Sequence, residues 1–111
     1  MTKKQAARID SLLPSGKPRK VRCYDNGGRT ADRFTVVFSG HWRGKTIGWT
    51  SLLHMSSAPY HPQGVGIHDQ VQGTPDHPRY SHLGRKISFD ALPADCQKAV
   101  LEDYKVLWDL T

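Results

Sequence analysis

The alternation of apolar and polar residues predicts strands in the first half of the chain. Residues 20–24 alternate in this way, which indicates a strand with one buried face. The Asp25–Gly28 stretch contains residue types that tolerate positive φ, and it predicts a tight two-residue turn into a second strand. That strand covers residues 33–38, and Val37 is apolar on its otherwise polar face. We therefore expect a hairpin whose two faces are both partly covered.

The strand pattern continues for one more element and then stops. Residues 39–45 contain two glycines and predict a second turn, and residues 46–55 predict a third strand. From Ser56 to Gly84 prolines and glycines recur without periodicity, so we expect an irregular excursion with at most a short strand at 64–67 or 68–72. Loops of this length are uncommon in small domains and are often functional.

The end of the chain carries the strongest helical pattern. A brief strand is predicted at residues 86–89, with Asp90 available as a helix cap. Apolar residues then recur at i, i+4, i+8, i+11 and i+12, namely Cys96, Val100, Tyr104, Leu107 and Trp108. This spacing predicts an amphipathic helix from Pro93 to Asp109 with its apolar face against the sheet.

These elements predict an α+β fold for the chain. We expect a small antiparallel β-meander of three to four strands packed against the C-terminal helix, with a short N-terminal helix over residues 3–13. A length of 111 residues suits one hydrophobic core. We divide the chain into a basic N-terminal segment, residues 1–19, and a single domain, residues 20–111.

Charge is distributed unevenly along the chain. The formal net charge is +6, and all of the excess falls within residues 1–22. A basic arm of this kind attracts nucleic acid or an acidic protein surface, with an affinity that falls as salt rises. Lys17, Arg19 and Lys20 are therefore candidate binding residues. The alternative is a solvated tail that aids only solubility.

The remaining composition argues for a soluble protein of the cytoplasm. The longest apolar runs are far shorter than the roughly 20 residues that cross a bilayer, and no apolar region follows the N-terminal lysines. We therefore expect no membrane association and no signal peptide. The two cysteines, Cys23 and Cys96, are predicted to be buried thiols and not a disulfide.

Histidines provide the main signal for catalysis. Five of the six fall between positions 54 and 82. Acid–base cleavage of a phosphodiester by His54, His61 and His68, assisted by Arg33 or Arg43, is one hypothesis. Ligand spacing does not favour a metal, no glycine-rich phosphate motif occurs, and no cofactor is predicted. The sequence assigns no catalytic residue.

Three blocks of sequence resemble a known group of proteins. The blocks are Tyr24–Phe38 (YDNGGRTADRFTVVF), Met55–Val65 (MSSAPYHPQGV) and His82–Pro93 (HLGRKISFDALP). Together they resemble small uncharacterised proteins of bacteriophages and bacterial mobile elements, from residue 20 to residue 108. The resemblance implies a phage-related accessory protein in the host-cell cytoplasm. Such proteins act by binding nucleic acid or a host protein complex, including host defence systems.

Polar residues at the ends of the predicted strands suggest where binding occurs. We hypothesise that the hairpin turn and the following loop meet at one end of the sheet and form a pocket. Its candidate residues are Asp25, Asn26, Asp32, Arg33, Ser56, His61, Gln63 and Gly64. The sequence thus favours a binding protein, and inhibition of a host defence system is a role that fits this hypothesis. Its alternatives are a small histidine-dependent hydrolase or nuclease and a structural assembly component of undetermined oligomeric state.

Overall fold

The computed structural model describes residues 16–43, 49–72 and 83–107, together with Lys3 and Leu13. Five strands and one helix follow each other along these residues: β1 (Arg22–Asp25), β2 (Phe34–Arg43), β3 (Trp49–Met55), β4 (Gly66–Gln72), β5 (Arg85–Ile87) and α1 (Ala94–Leu107). A short 3₁₀ turn over Phe89–Ala91 lies between β5 and α1. The predicted α+β class is confirmed.

The strands form a single antiparallel sheet in the order β4-β3-β2-β1-β5. β1 to β4 make a meander of successive hairpins, and the chain then returns to place β5 beside β1. Asp25 lies opposite both Phe34 and Arg85, and Met55 lies opposite Gly66. One end of the sheet therefore carries the β1–β2 loop, the β3–β4 loop and the entry into β5.

The hydrophobic core lies between α1 and one face of the sheet. Its buried residues are Cys23, Phe34, Val36, Phe38, Leu53, Met55, Leu92, Cys96, Val100 and Tyr104. The three helical residues in this set are fully buried, as their spacing predicted. Each large apolar side chain removed from water stabilises the fold by about 1.5–3 kcal/mol. The amphipathic pattern is therefore what fixes α1 across the sheet.

The opposite face of the sheet is covered as well. Thr35 and Val37 of β2, and Thr50, Leu52 and His54 of β3, point away from α1, yet each is less than a tenth exposed. The prediction that both faces are covered is thus confirmed. We call this side the second face of the sheet.

The connection between β1 and β2 differs from the predicted two-residue turn. β1 ends at Asp25 and β2 begins at Phe34, so the β1–β2 loop covers residues 26–33. Gly27 and Gly28 do adopt positive φ, 77° and 87°. Within this longer loop, polar side chains accept hydrogen bonds from the backbone, where a tight turn would pair backbone groups with each other.

One other strand prediction was wrong, and a second gave a strand that was too short. Residues 39–43 continue β2, where a turn was expected, and a register shift between Val37 and Trp42 accommodates the glycine at position 40. β4 is a full seven-residue strand paired with β3 along its length. Because Gly66–Gln70 is exposed at the sheet edge, it lacks the apolar alternation that identifies a buried strand.

The sheet consequently has five described strands where three to four were predicted. Asp90 was predicted as the cap of the helix, but it belongs to the 3₁₀ turn, and α1 begins only at Ala94. The first backbone bond of α1 runs from the N–H of Gln97 to the carbonyl of Pro93 (3.0 Å). The predicted N-terminal helix over residues 3–13, the strand residues 46–48 and the helix residues 108–109 lie outside the described residues, apart from Lys3 and Leu13.

Both cysteines are buried free thiols, as predicted. Burial raises the pKa of Cys23 to about 12. Burial also raises the pKa of Cys96 to about 11, and the nearby Asp95 carboxylate acts in the same direction. Both groups are therefore protonated core residues at neutral pH.

Candidate functional site

The β1–β2 loop is held by the side chains of the residues that open it. Asp25 accepts a hydrogen bond at Oδ1 from the N–H of Gly27 (2.8 Å). Asn26 accepts at Oδ1 from the N–H groups of Gly28 (2.9 Å) and Arg29 (3.1 Å). These are Asx-type turns, in which a side-chain oxygen replaces a backbone acceptor. The polar character of Asp25 and Asn26, predicted to serve binding, therefore also serves the loop itself.

Arg33 at the end of the loop closes back onto its beginning. Its Nε and Nη2 atoms donate to Oδ1 (2.8 Å) and Oδ2 (3.0 Å) of Asp25, a bidentate pair. The hydrogen bond from Arg33 is the main cause that lowers the pKa of Asp25. The guanidinium also lies 5.1 Å from the centre of the Phe34 ring. The Asp25 side chain is only 10% exposed behind this pair, so its negative charge is largely shielded.

A cleft opens between this loop and the entry into β5. Its volume is about 480 Å³, and its described lining is Asp25, Asn26, Gly27, Arg29, Arg33, Gly84 and Arg85. Gly84 packs against the loop backbone so closely that a Cβ atom there would lie 2.3 Å from the carbonyl oxygen of Asp25. The glycine thus allows the two arginine-bearing segments to approach each other.

Basic side chains collect along the β1–β5 side of the sheet. Arg22 opens β1, Arg85 and Lys86 lie on the neighbouring edge strand β5, and the Tyr24 ring is opposite Lys86 on the second face. We define the cationic edge as Arg19, Lys20, Arg22, Arg29, Arg85 and Lys86. All of these are exposed except Arg22, which is partly buried. The set follows β1 and its neighbour β5 from the residues before β1 to the β1–β2 loop, and the four residues of β1 extend about 10 Å.

The basic residues before β1 are attached to the domain. Lys17 forms an ion pair with Asp90 (2.7 Å), and Pro18 is buried. The backbone of Arg19 hydrogen-bonds the buried Tyr104 hydroxyl of α1, whose pKa is raised by burial. Lys20 has φ 58°, a left-handed conformation that is unusual for a lysine. Arg19 and Lys20 are therefore presented at the start of β1, whereas Lys17 already has a carboxylate partner.

The β3–β4 loop, residues 56–65, has a different set of neighbours. Ser56 accepts at Oγ from the N–H of Val65 (2.9 Å), and its carbonyl accepts from the Cys96 thiol of α1 (3.2 Å). His61 accepts at Nδ1 from the N–H of Gln63 (3.1 Å). The loop shares an end of the sheet with the cleft, but it packs toward α1, and none of its residues belongs to the cleft's described lining. The single pocket that we hypothesised is thus divided between two places.

His54 occupies a buried polar position on the second face. Its Nδ1 atom lies 3.0 Å from the Thr35 hydroxyl and 3.8 Å from Oδ2 of Asp32. Its Nε2 atom lies 3.7 Å from Oδ2 of Asp69 on β4. Asp32, a predicted binding residue, therefore faces a histidine, and the imidazole is only 3% exposed.

The other described histidines lie elsewhere. His68 pairs with Leu53 in the sheet register, which places it on the α1 face, where its Nε2 atom forms an ion pair with Asp103. Burial raises the pKa of Asp103, and the bond to His68 opposes that rise. His54 and His68 are thus on opposite faces of the sheet. The structure does not bring the three histidines of the hydrolase hypothesis into one site.

A larger groove of about 600 Å³ lies beside His68. Its described lining is Phe38, Ser51, Leu52, His68, Asp69, Gln70 and Leu107. The charged groups in this set are one carboxylate and a histidine already paired with Asp103. The groove therefore lacks the convergent cations of the smaller cleft.

Sequence reasoning missed Arg29, Gly84, Arg85 and Lys86. Counted along the chain, residues 23–111 carry equal numbers of basic and acidic side chains, which concealed any local excess. The Gly-Arg-Lys run at 84–86 was the available signal, because a glycine followed by two cations suggests a close approach of the backbone beside a basic strand. Only the return of β5 to β1 connects this run with the basic residues before β1.

Within residues 16–43, 49–72 and 83–107, no group of three or more histidine, cysteine, aspartate or glutamate side chains is arranged to hold a metal ion. No helix in this part of the chain combines the length and apolar character that spanning a membrane requires.

Comparison with known proteins does not place the chain in a family. No protein-family model, curated protein or solved structure matches this chain.

Proposed function

We propose that this protein acts by binding, as a phage-related accessory protein, and that its partner is a nucleic acid held at the cationic edge. The observation that carries the proposal is the convergence of basic side chains from three separated segments. Residues 19–22, the β1–β2 loop and β5 meet on one side of the sheet, next to the partly exposed Tyr24. Phosphate contacts by lysine and arginine supply most non-specific affinity for nucleic acid.

The arrangement of acidic residues supports the same proposal. Asp25 is paired with Arg33, and Asp90 is paired with Lys17, so two carboxylates near the cationic edge are neutralised. The helix α1 carries three acidic residues, Asp95, Glu102 and Asp103, against two lysines, Lys98 and Lys105, so it has no excess of positive charge. A polyanion is therefore expected to bind at the cationic edge and not along α1.

Salt-dependent binding of a fluorescent single-stranded oligonucleotide tests the proposal. The test variant is Lys20→Ala with Lys86→Ala, and the matched control is Lys98→Ala with Lys105→Ala on α1. Both variants remove two lysines, but only the first changes the cationic edge. For a single strand each lost phosphate contact reduces the slope of log K against log salt by about 0.7, so we expect a reduction of about 1.4 in the test variant.

Two results would contradict the proposal. Absence of salt-dependent binding by the wild-type protein would remove its basis. Equal loss in the test and control variants would show that net charge matters and that the cationic edge does not. Capture from host lysate with and without nuclease then separates the alternatives, because a host protein recovered after nuclease treatment redirects the proposal to a protein partner, such as a defence complex.

The alternative function, a histidine-dependent hydrolase or nuclease, has one observation in its favour. His54 lies between the carboxylates of Asp32 and Asp69, a setting suited to proton transfer. Its burial separates the imidazole from a bound strand, so the geometry favours binding over turnover. Cleavage of the labelled oligonucleotide that is lost on His54→Gln would reverse this preference.

A further inference from the structure

The cleft between the β1–β2 loop and β5 is the concave part of the cationic edge. Among the described residues, three arginines line it, Arg29, Arg33 and Arg85, with one carboxylate, Asp25. A volume of about 480 Å³ lies in the lower part of the range of small-molecule sites. The cleft thus suits a single small anionic group better than an extended strand.

The three arginines are not equivalent. Arg33 directs two of its donor atoms to Asp25, so this pair contributes little net charge to the cleft. Neither Arg29 nor Arg85 forms an ion pair with any residue in the described ranges, and both side chains are exposed. Among the described residues, Arg29 and Arg85 therefore supply the positive charge of the cleft that exceeds the Arg33–Asp25 pair, although the charge of Arg85 also helps to lower the pKa of Asp25.

The backbone at both of these arginines is held in place by neighbouring residues. Arg85 lies opposite Asp25 in the β1–β5 ladder, and the N–H of Arg29 is bound by the Asn26 side chain (3.1 Å). The close packing of Gly84 against Asp25 and Asn26 joins the two segments. A site assembled before its ligand arrives loses less entropy when the ligand binds.

We infer that this cleft binds a phosphomonoester dianion, with Arg29 and Arg85 as its two ligands. Guanidinium groups recognise phosphate through paired N–H donors, and a phosphomonoester carries a charge of about −1.5 to −2 at pH 7, which matches two cations. The dianion occurs at the 5′ end of a nucleic acid strand and on a free mononucleotide. The strand-end form of this inference rests on the proposed function, whereas the mononucleotide form does not.

The test compares two oligonucleotides of one sequence, with a 5′-phosphate and with a 5′-hydroxyl, by fluorescence anisotropy at constant salt. We expect the phosphorylated strand to bind about tenfold more tightly, the effect of one or two charge-assisted hydrogen bonds. Arg29→Gln and Arg85→Gln should each reduce this preference, and the double variant should abolish it. Arg19→Gln is the matched control, since it removes an arginine of the cationic edge outside the cleft. It should weaken both strands equally and keep the ratio.

Titration with AMP and with adenosine, followed by calorimetry, tests the mononucleotide form. Binding of AMP but not adenosine, lost in the double variant, supports the inference and identifies a free nucleotide as a sufficient ligand. Because the second phosphate ionisation has a pKa of about 6, binding should strengthen as the pH rises from 5 to 7.

The outcomes separate this inference from the proposed function. If both strands bind equally with a steep salt dependence and AMP does not bind, the inference is overturned and the proposed function stands. If neither strand binds, the proposed function fails, and AMP binding alone decides the inference. A phosphate preference that persists in the double variant would also overturn it, because the two arginines would not be its source.

Discussion

Replacing Gly84 by alanine should destabilise the protein more than the same change at Gly28. The two glycines have almost the same backbone conformation, with φ 90° at Gly84 and φ 87° at Gly28. Their surroundings differ completely. A Cβ at position 28 would meet no atom within 4 Å, whereas a Cβ at position 84 would lie 2.3 Å from the Asp25 oxygen and 2.5 Å from the Asn26 Cα.

The expected magnitudes follow from these two environments. Positive φ alone costs an alanine about 1–2 kcal/mol, and this is the whole effect at Gly28. At Gly84 the added methyl group also meets backbone atoms, which cannot rotate away as a side chain does. Overpacking of this kind costs about 1–3 kcal/mol. We therefore expect a loss of about 2–5 kcal/mol for Gly84→Ala and about 1–2 kcal/mol for Gly28→Ala.

Urea unfolding of both variants measures the difference. With a slope of about 1 kcal/mol/M for a domain of this size, the two unfolding midpoints should be separated by about 1–3 M. Losses that agree within about 0.5 kcal/mol would refute the reasoning, because they would mean that Gly84 does not pack against the β1–β2 loop. The cleft described above would then lose its joining contact.

Three further predictions concern the loop, the thiols and the core. Because the pKa of Asp25 is lowered in the folded state, its pair with Arg33 stabilises the protein above the ordinary aspartate pKa of about 4. The free energy of unfolding should therefore fall as the pH drops from 5 toward 2, and it should fall less in Arg33→Ala. In the native protein, Cys23 and Cys96 should not react with a thiol reagent at pH 8, because both are buried and their pKa values are raised to about 12 and about 11. Prompt reaction of either thiol before unfolding would contradict their burial. Val100→Ala should lower the unfolding free energy by about 2 kcal/mol, through two lost methyl groups and a cavity under α1, and an unchanged urea midpoint would argue against that packing.

The elements that the sequence predicted best are those whose pattern depends on a single buried surface. Cys96, Val100 and Tyr104 recur at helical spacing, and each contacts the sheet because α1 has only one apolar face. The β1–β2 hairpin was likewise visible from its alternation and from the glycines at 27 and 28. β4 was predicted only as a short strand, because the sheet edge places most of its residues in water, where no apolar alternation is needed.

The candidate site was only partly visible for a different reason. Asp25, Asn26 and Arg33 were recognised as polar residues at a strand end, and they do line the cleft. Ser56, His61 and Gln63 have the same character in sequence, but their loop packs toward α1. A polar residue that satisfies the backbone of its own loop cannot be distinguished by sequence from one that faces a ligand.

The sequence by itself determined the fold class, the buried helix face, the burial of both thiols and the basic character of the residues before β1. The helix face and the charge depend on local spacing and composition, and the burial of the thiols follows from the apolar face of the strand or helix that carries each cysteine. The tertiary structure alone decided which charges act together. By returning β5 to the side of β1, it placed Arg85 and Lys86 beside Arg22 and Arg29, residues separated by more than fifty positions in the chain. Strand order is set by the packing of the whole sheet against α1, so the cationic edge and its cleft have no counterpart in any local pattern.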